Sequence, residues 1–403
     1  MDPIRRKVLT GSLAVGLAGG GLLASRVSFA AGDTADRRFV FVLLRGALDG
    51  LAAVPAVGDP DYMRLRGELD LSGTAGLHRL DDLFALHPSL NFLAQQWAER
   101  QLAVVHAVAT PYRERSHFDA QDVLESGYAR PHAAQSGWLN RALAGLPASR
   151  GRNAGVALGS NVPLVMRGPV EVASWSPGRL PDLEGDTLQR IAQMYGEDPL
   201  LSQRLSEALA ADEMAGAGNM GGGAAPGGAR AGAQVEGTAR AAAGFLARAD
   251  GPRVAVFETT GWDTHANQGS DKGALALRLA ALDSGLKALH DALGESWDRT
   301  VVLVATEFGR TAAVNGTRGT DHGTAAAAFL LGGAVRGGRV FGQWPGLKAG
   351  DLYQGRDLKP TTDLRAVIKT VLRDHLQLPQ PLLENAVFPD SVATGYVPGL
   401  IQA

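Results

Sequence analysis

Short apolar runs rich in β-branched residues recur along the chain and alternate with helical patterns: Phe39 to Leu44, Leu102 to Ala107, Val254 to Phe257 and Val301 to Ala305. A strand with one wet face alternates apolar with polar residues, whereas these runs stay apolar, as strands covered on both faces do. Leucines at Leu275, Leu279, Leu282, Leu286, Leu289 and Leu293 keep the three-to-four spacing of an amphipathic helix. Asp363 to Leu378 reads as another helix, with Asp363 as N-cap and Val367, Val371 and Leu372 on its apolar side. Together these patterns predict an α/β fold, with a mostly parallel central sheet and helices on both faces.

The first thirty residues stand apart from that pattern. Arg5, Arg6 and Lys7 precede a weakly apolar Gly- and Ala-rich run from Val8 to Ala24, and Ser28-Phe29-Ala30 offers a small-x-small cleavage site. This is the make-up of a twin-arginine export signal, with the mature chain starting at Ala31. It implies a periplasmic or secreted protein whose export partner is the twin-arginine translocase. The many glycines and Arg26 argue against a stable membrane anchor, which wants about 20 predominantly apolar residues.

After cleavage about 370 residues remain, Ala31 to Ala403, enough for one large domain. Met214 to Gly244 is Gly/Ala-rich and reads as a flexible loop inserted into it. Gly332 to Gly338 reads as a turn between strands rather than a nucleotide loop. The absence of cysteine excludes disulfides and thiolate metal sites, so any metal must use His, Asp, Glu or hydroxyl ligands. A net charge of -2 without basic clusters gives no basis for nucleic-acid binding.

In open α/β sheets ligands bind beyond the carboxyl ends of the strands, and there the polar residues accumulate. Asp49 follows the first run, Asp263 and His265 the third and Glu307 the fourth, with Asp321-His322 next. Asp263 and His265 are two apart, so in an extended segment they point to the same side and could grip one ion. Such a mixed oxygen and nitrogen set suits zinc, manganese or iron, with magnesium or calcium if carboxylates dominate. Ser116, with Asp119 three residues on, reads as a capping-box start for a helix, and Arg113 and Arg115 flank it. The same hydroxyl is placed as an activated nucleophile would be. His78, His87, His106, His117, His132, His290 and His375 read as structural or surface residues, with His117 the one to test.

The motifs Leu-Arg-Gly-Ala-Leu-Asp-Gly, Arg-Ser-His-Phe-Asp-Ala-Gln-Asp, Gly-Trp-Asp-Thr-His, Thr-Glu-Phe-Gly-Arg-Thr and Gly-Thr-Asp-His-Gly, between about Phe39 and Pro389, together resemble the bacterial domain-of-unknown-function 1501 family. That family in turn is distantly similar to the alkaline phosphatase and sulfatase superfamily. The resemblance implies an alkaline-phosphatase-like fold and an exported, metal-dependent hydrolase of anionic phosphate or sulfate esters. It implies Ser116 as nucleophile, Asp49, Asp263, His265, Glu307 and His322 as metal ligands, and Arg45, Arg115 and Arg310 as candidates to neutralise the substrate. Phe308 stands where that superfamily has a histidine, and Asp263 and His265 are closer than usual. A second metal site is therefore weakened, all-oxygen or absent, and a non-catalytic binding or assembly protein is the other reading.

Overall fold

The computed structural model describes residues 36–146, 154–176, 203 and 227–402. The signal segment and positions 214–226 of the Gly/Ala-rich stretch lie outside the described residues. Eleven strands are described: β1 (Arg38–Arg45), β2 (His78–Arg79), β3 (Ala85–Leu86), β4 (Leu102–Ala109), β5 (Gly155–Leu158), β6 (Ala173–Trp175), β7 (Val254–Thr260), β8 (Thr300–Thr306), β9 (Ala326–Leu331), β10 (Arg339–Phe341) and β11 (Thr362–Asp363). The main sheet runs β10-β4-β9-β8-β1-β7-β5-β6, with β11 also on β4, while β2 and β3 form a separate hairpin. All its pairings are parallel except those of β9, which is antiparallel to both β4 and β8. The sheet is thus mostly parallel, as the continuous apolar runs predict.

Successive residues of β1 serve two cores. Val40, Val42 and Leu44 enter one, and Phe39, Phe41 and Leu43 the other. The helices used below are α1 (Gly50–Ala53), α2 (Tyr62–Arg66), α3 (Asn91–Ala98), α4 (His117–Ser126), α5 (Trp138–Leu143), α6 (Gly227–Ala247), α7 (Ala274–Leu293) and α8 (Leu364–Thr370). Side chains of α1, α3, α6 and α7 close the first core, and those of α5 and α8 close the second. Asp363 caps α8 as expected, accepting from the Arg365 amide at 2.8 Å, and Gly332 to Gly338 does join β9 to β10.

Two expectations need correction. From Gly227 onward the Gly/Ala-rich stretch is helix, not loop, and α6 packs along α7. Alanine is the best helix former, and Ala239, Ala242, Ala243, Phe245 and Leu246 are buried against the neighbouring elements. The capping box at α4 does not form either. Ser116 holds the N-cap position without a side-chain capping bond, and the Asp119 carboxylate accepts from the Tyr112 hydroxyl at 3.1 Å. Aspartate is one methylene shorter than the Glu or Gln that reaches back in a capping box.

No helix among the described residues is long and apolar enough to cross a membrane.

Candidate functional site

The site is assembled by loops at the carboxyl edge of the sheet. The β4–α4 loop delivers Ser116 and His117, the segment after β7 delivers Asp263 and His265, and the segment after β8 delivers Glu307 and Arg310. His322 precedes its strand rather than following one. Because β9 runs against its neighbours, its start lies at the edge where the others finish. A short antiparallel pairing fixes it there: Thr311 N–H donates to Asp321 O at 2.9 Å, and Gly309 N–H to Thr324 O at 2.9 Å.

There, three imidazoles and a carboxylate meet. His322 Nε2 lies 3.0 Å from His117 Nε2 and 3.0 Å from His265 Nε2. Asp263 Oδ1 lies 3.1 Å from His265 Nε2 and 3.3 Å from His322 Nε2, and Asp263 Oδ2 lies 3.5 Å from His117 Nε2. The other nitrogen of every ring faces an acceptor: Glu307 Oε1 at 2.8 Å from His117 Nδ1, Asp321 Oδ1 at 3.2 Å from His265 Nδ1, and the Arg115 carbonyl at 3.0 Å from His322 Nδ1. Each neutral ring therefore carries its proton on Nδ1 and presents an Nε2 lone pair to the shared point, a tautomer assigned from the hydrogen-bond network.

Lone pairs aimed at one another repel unless a cation lies between them. Donors placed 2.0–2.1 Å from a tetrahedral zinc ion would be about 3.3–3.4 Å apart, and the contacts among His117, His322 and Asp263, 3.0, 3.3 and 3.5 Å, bracket that value. Among the described residues, His117, Asp263 and His322 keep their ligand atoms within 4.8 Å of one another, and His265 flanks that set through His322 and Asp263. The acceptors behind the rings match the outer shell that orients metal-binding histidines. The residues present fit a divalent cation.

The electrostatics agree. The hydrogen bond to Glu307 raises the pKa of His117 against the opposing effect of burial. Burial, followed by the neighbouring His117 charge, lowers that of His322. Burial pushes Asp263 up, yet the hydrogen bond and charge of Arg310 bring it below the usual carboxylate range. Glu307 is likewise pushed up by burial and brought down by its bonds, His117 first.

The remaining expected residues fall around this centre, not in it. Asp49 is 1 % exposed and fully engaged: Oδ2 takes Arg66 at 2.5 Å and Gln268 at 2.7 Å, and Oδ1 caps α1 through the Ala52 amide. Glu307 is 1 % exposed; its Oε1 accepts from Gly46 N–H, His117 and Gln121, and its Oε2 from the Thr306 hydroxyl. In this arrangement both carboxylates brace their neighbours through these bonds. Asp321 braces His265 and accepts from Asn315 at 2.9 Å. Phe308 is buried and packs at a tilt against the imidazoles of His117 and His322, with ring centroids 4.9 and 5.2 Å away.

The arginines are also engaged. Arg45 pairs with Glu125 and Glu258, and Arg115 with Asp357 and Gln354. Arg310, with no exposed side-chain surface, bonds Asp263 and both oxygens of Thr320. Gly46, at φ 118°, lets β1 turn beneath the site, since a Cβ there would meet the Asp263 amide at 2.7 Å. His117 was undervalued. It lies beyond a strand's carboxyl end like the residues that were chosen, and the same rule points to it.

The solved structures similar to this chain include a phosphonate monoester hydrolase of Agrobacterium radiobacter, at 12% identity over 85% of this chain and 74% of that one, with a TM-score of 0.42. Ps i-CgsB in complex with k-i-k-neocarrahexaose matches at 11% identity over 89% and 74%, with a TM-score of 0.42. The lipoteichoic acid synthase LtaP from Listeria monocytogenes matches at 8% identity over 88% and 76%, with a TM-score of 0.37. No curated protein matches. The family model described as protein of unknown function (DUF1501) matches residues 36–387, which hold every residue of the centre, and the chain belongs to that family.

Proposed function

We propose that the chain is an exported hydrolase of phosphate or sulfate esters that works with one divalent cation held by His117, Asp263 and His322, with His265 beside them. The observation that carries this reading is the convergence of three Nε2 atoms and a carboxylate while every Nδ1 is held from behind. A nitrogen-rich set favours zinc or a neighbouring first-row ion over calcium or magnesium. When bound, the cation supplies a Lewis acid for the ester's anionic oxygen and lowers the pKa of an attacking hydroxyl.

The chain's own groups do the rest. Ser116, at the N-cap of α4 and uncommitted to capping, is placed next to His117 and carries the nucleophile role. The first amides of α4 favour negative charge where the substrate's oxygens would sit. Arg310 keeps Asp263 ionised and aimed, and Glu307 fixes the His117 tautomer.

A second reading has an observation of its own. The engagement of Arg45, Arg115 and Arg310, and of Asp49 with Arg66, leaves a single cation centre of the kind a binding protein would keep.

Metal analysis of chelator-free protein, with phosphate and sulfate ester assays on wild type and Ser116→Ala, tests the proposal. One cation per chain and Ser116-dependent turnover support the hydrolase. A bound cation with no turnover of either ester class selects the binding protein. Export is tested by replacing Arg5 and Arg6 with lysine, which should leave the protein in the cytoplasm.

A further inference from the structure

The same sheet edge has a second feature that the cation centre does not use. A cavity of 330 Å³ opens beyond the ends of β5 and β7, against α6 and α7. Phe257 and Leu282 give it an apolar wall, Ser160 and Thr260 bring hydroxyls, and Arg278 of α7 enters it. Among the described residues, Arg278 is half-buried and has neither a carboxylate partner nor a hydrogen bond. One carboxylate, that of Glu258, also lines the cavity, but Arg45 Nε holds it at 2.7 Å.

The backbone braces Arg278 in place of an acid. Gly261 has φ 89°, and a Cβ there would lie 2.8 Å from both Cζ and Nε of Arg278. The glycine that opens Gly-Trp-Asp-Thr-His thus makes room for this guanidinium as well as for the turn. Thr260 in the cavity wall and Asp263 in the centre are three residues apart, so their α-carbons are separated by at most about 11 Å. A guanidinium with uncommitted donors, in a hollow lined by hydroxyls, is suited to a planar oxyanion.

We infer that this cavity binds a carboxylate carried on the leaving-group side of the ester, and that Arg278 recognises it. The inference rests on the hydrolase reading for the ester, though not for the anion. The probes are 4-nitrophenyl phosphate, its 2-carboxy derivative and the product of the latter, 5-nitrosalicylate.

Arg278→Met should raise KM for the carboxylated ester by roughly tenfold or more, the loss expected for a charged hydrogen bond. Its kcat, and both constants for the plain ester, should stay unchanged. Arg278→Lys, which keeps the charge and loses the fork, should fall between. In chelator-stripped protein, where no cation can capture the probe, 5-nitrosalicylate should bind wild type and lose the same factor in Arg278→Met. Equal binding to both proteins, or equal KM values for the carboxylated ester, overturns the inference and leaves the hydrolase standing. Arg278-dependent binding without turnover of either ester keeps the cavity and removes the hydrolase.

Discussion

Replacing Asp49 by asparagine separates a ligand from a brace. Arg66 has no exposed surface, its Nε is buried without a partner, and its NH1 reaches only the Ala312 carbonyl at 3.3 Å. Among the described residues, Asp49 is the one anion that neutralises it, at 2.5 Å. Asp49→Asn keeps the shape and leaves that guanidinium uncompensated, which costs about 3–5 kcal/mol. At about 2.1 cal/mol/K per residue over roughly 370 residues, the entropy of unfolding is about 0.8 kcal/mol/K, so Tm should fall by roughly 4–6 °C. Adding Arg66→Met to the same protein should recover most of the loss, because the stranded charge goes with it. Thermal melts with metal analysis on wild type and both variants provide the assay, and bound cation should stay constant. An Asp49→Asn protein that melts with wild type but has lost an equivalent of metal refutes the reasoning and restores Asp49 as a ligand.

Glu307→Gln should weaken cation binding by roughly 10–100-fold, since His117 loses its anionic support; competition with a chromogenic chelator measures it, and unchanged affinity would remove Glu307 from the outer shell. The cation should also stabilise the fold, by about 2.7 kcal/mol at a hundred times its Kd. His322→Ala should abolish that gain in denaturant titrations, and an identical gain would place the ion elsewhere. Burial lowers both His106 and His375 to about 4 from the ordinary imidazole value of 6.5. Above pH 6.5 both states are neutral, whereas between 6.5 and 4 the unfolded chain takes up protons that the folded chain refuses. Stability should therefore drop by ~2 kcal/mol per histidine between pH 7.5 and 5. Unfolding at both pH values should give wild type a steeper drop than the double variant His106→Gln, His375→Gln, and equal slopes would contradict the assignment.

The parts of the fold that could be read from the sequence are those where burial writes a simple pattern. β1, β4, β8 and the Val254–Phe257 part of β7 are buried and appear as apolar runs, and the leucine spacing of α7 marks its core face. β9, Ala-Ala-Ala-Phe-Leu-Leu, carries no strand signature because its conformation comes from insertion between β4 and β8. The helix α6 hid behind glycines that tertiary packing tolerates. In the site, Asp263 and His265 followed from a positional rule, whereas His322 precedes β9 and reaches the same edge only because that strand runs backwards. The fate of Asp49 did not, because Arg66 is a partner supplied by the return of α2 over the sheet edge, which no local pattern announces. His117 was masked by Ser116 beside it, whose hydroxyl drew the functional reading.

The reversed strand also has a consequence for how the proposed cation would be acquired. His117 and His322 are 205 positions apart, and His322 reaches the pocket only when β9 has been inserted between its neighbours. Contacts of such long range are slow to form because chain entropy must be lost before they reward it. A tight ion would thus act as a ratchet on the last stage of sheet closure: it would find its donors only in a finished molecule, and its binding energy would then oppose the release of the strand that completed it.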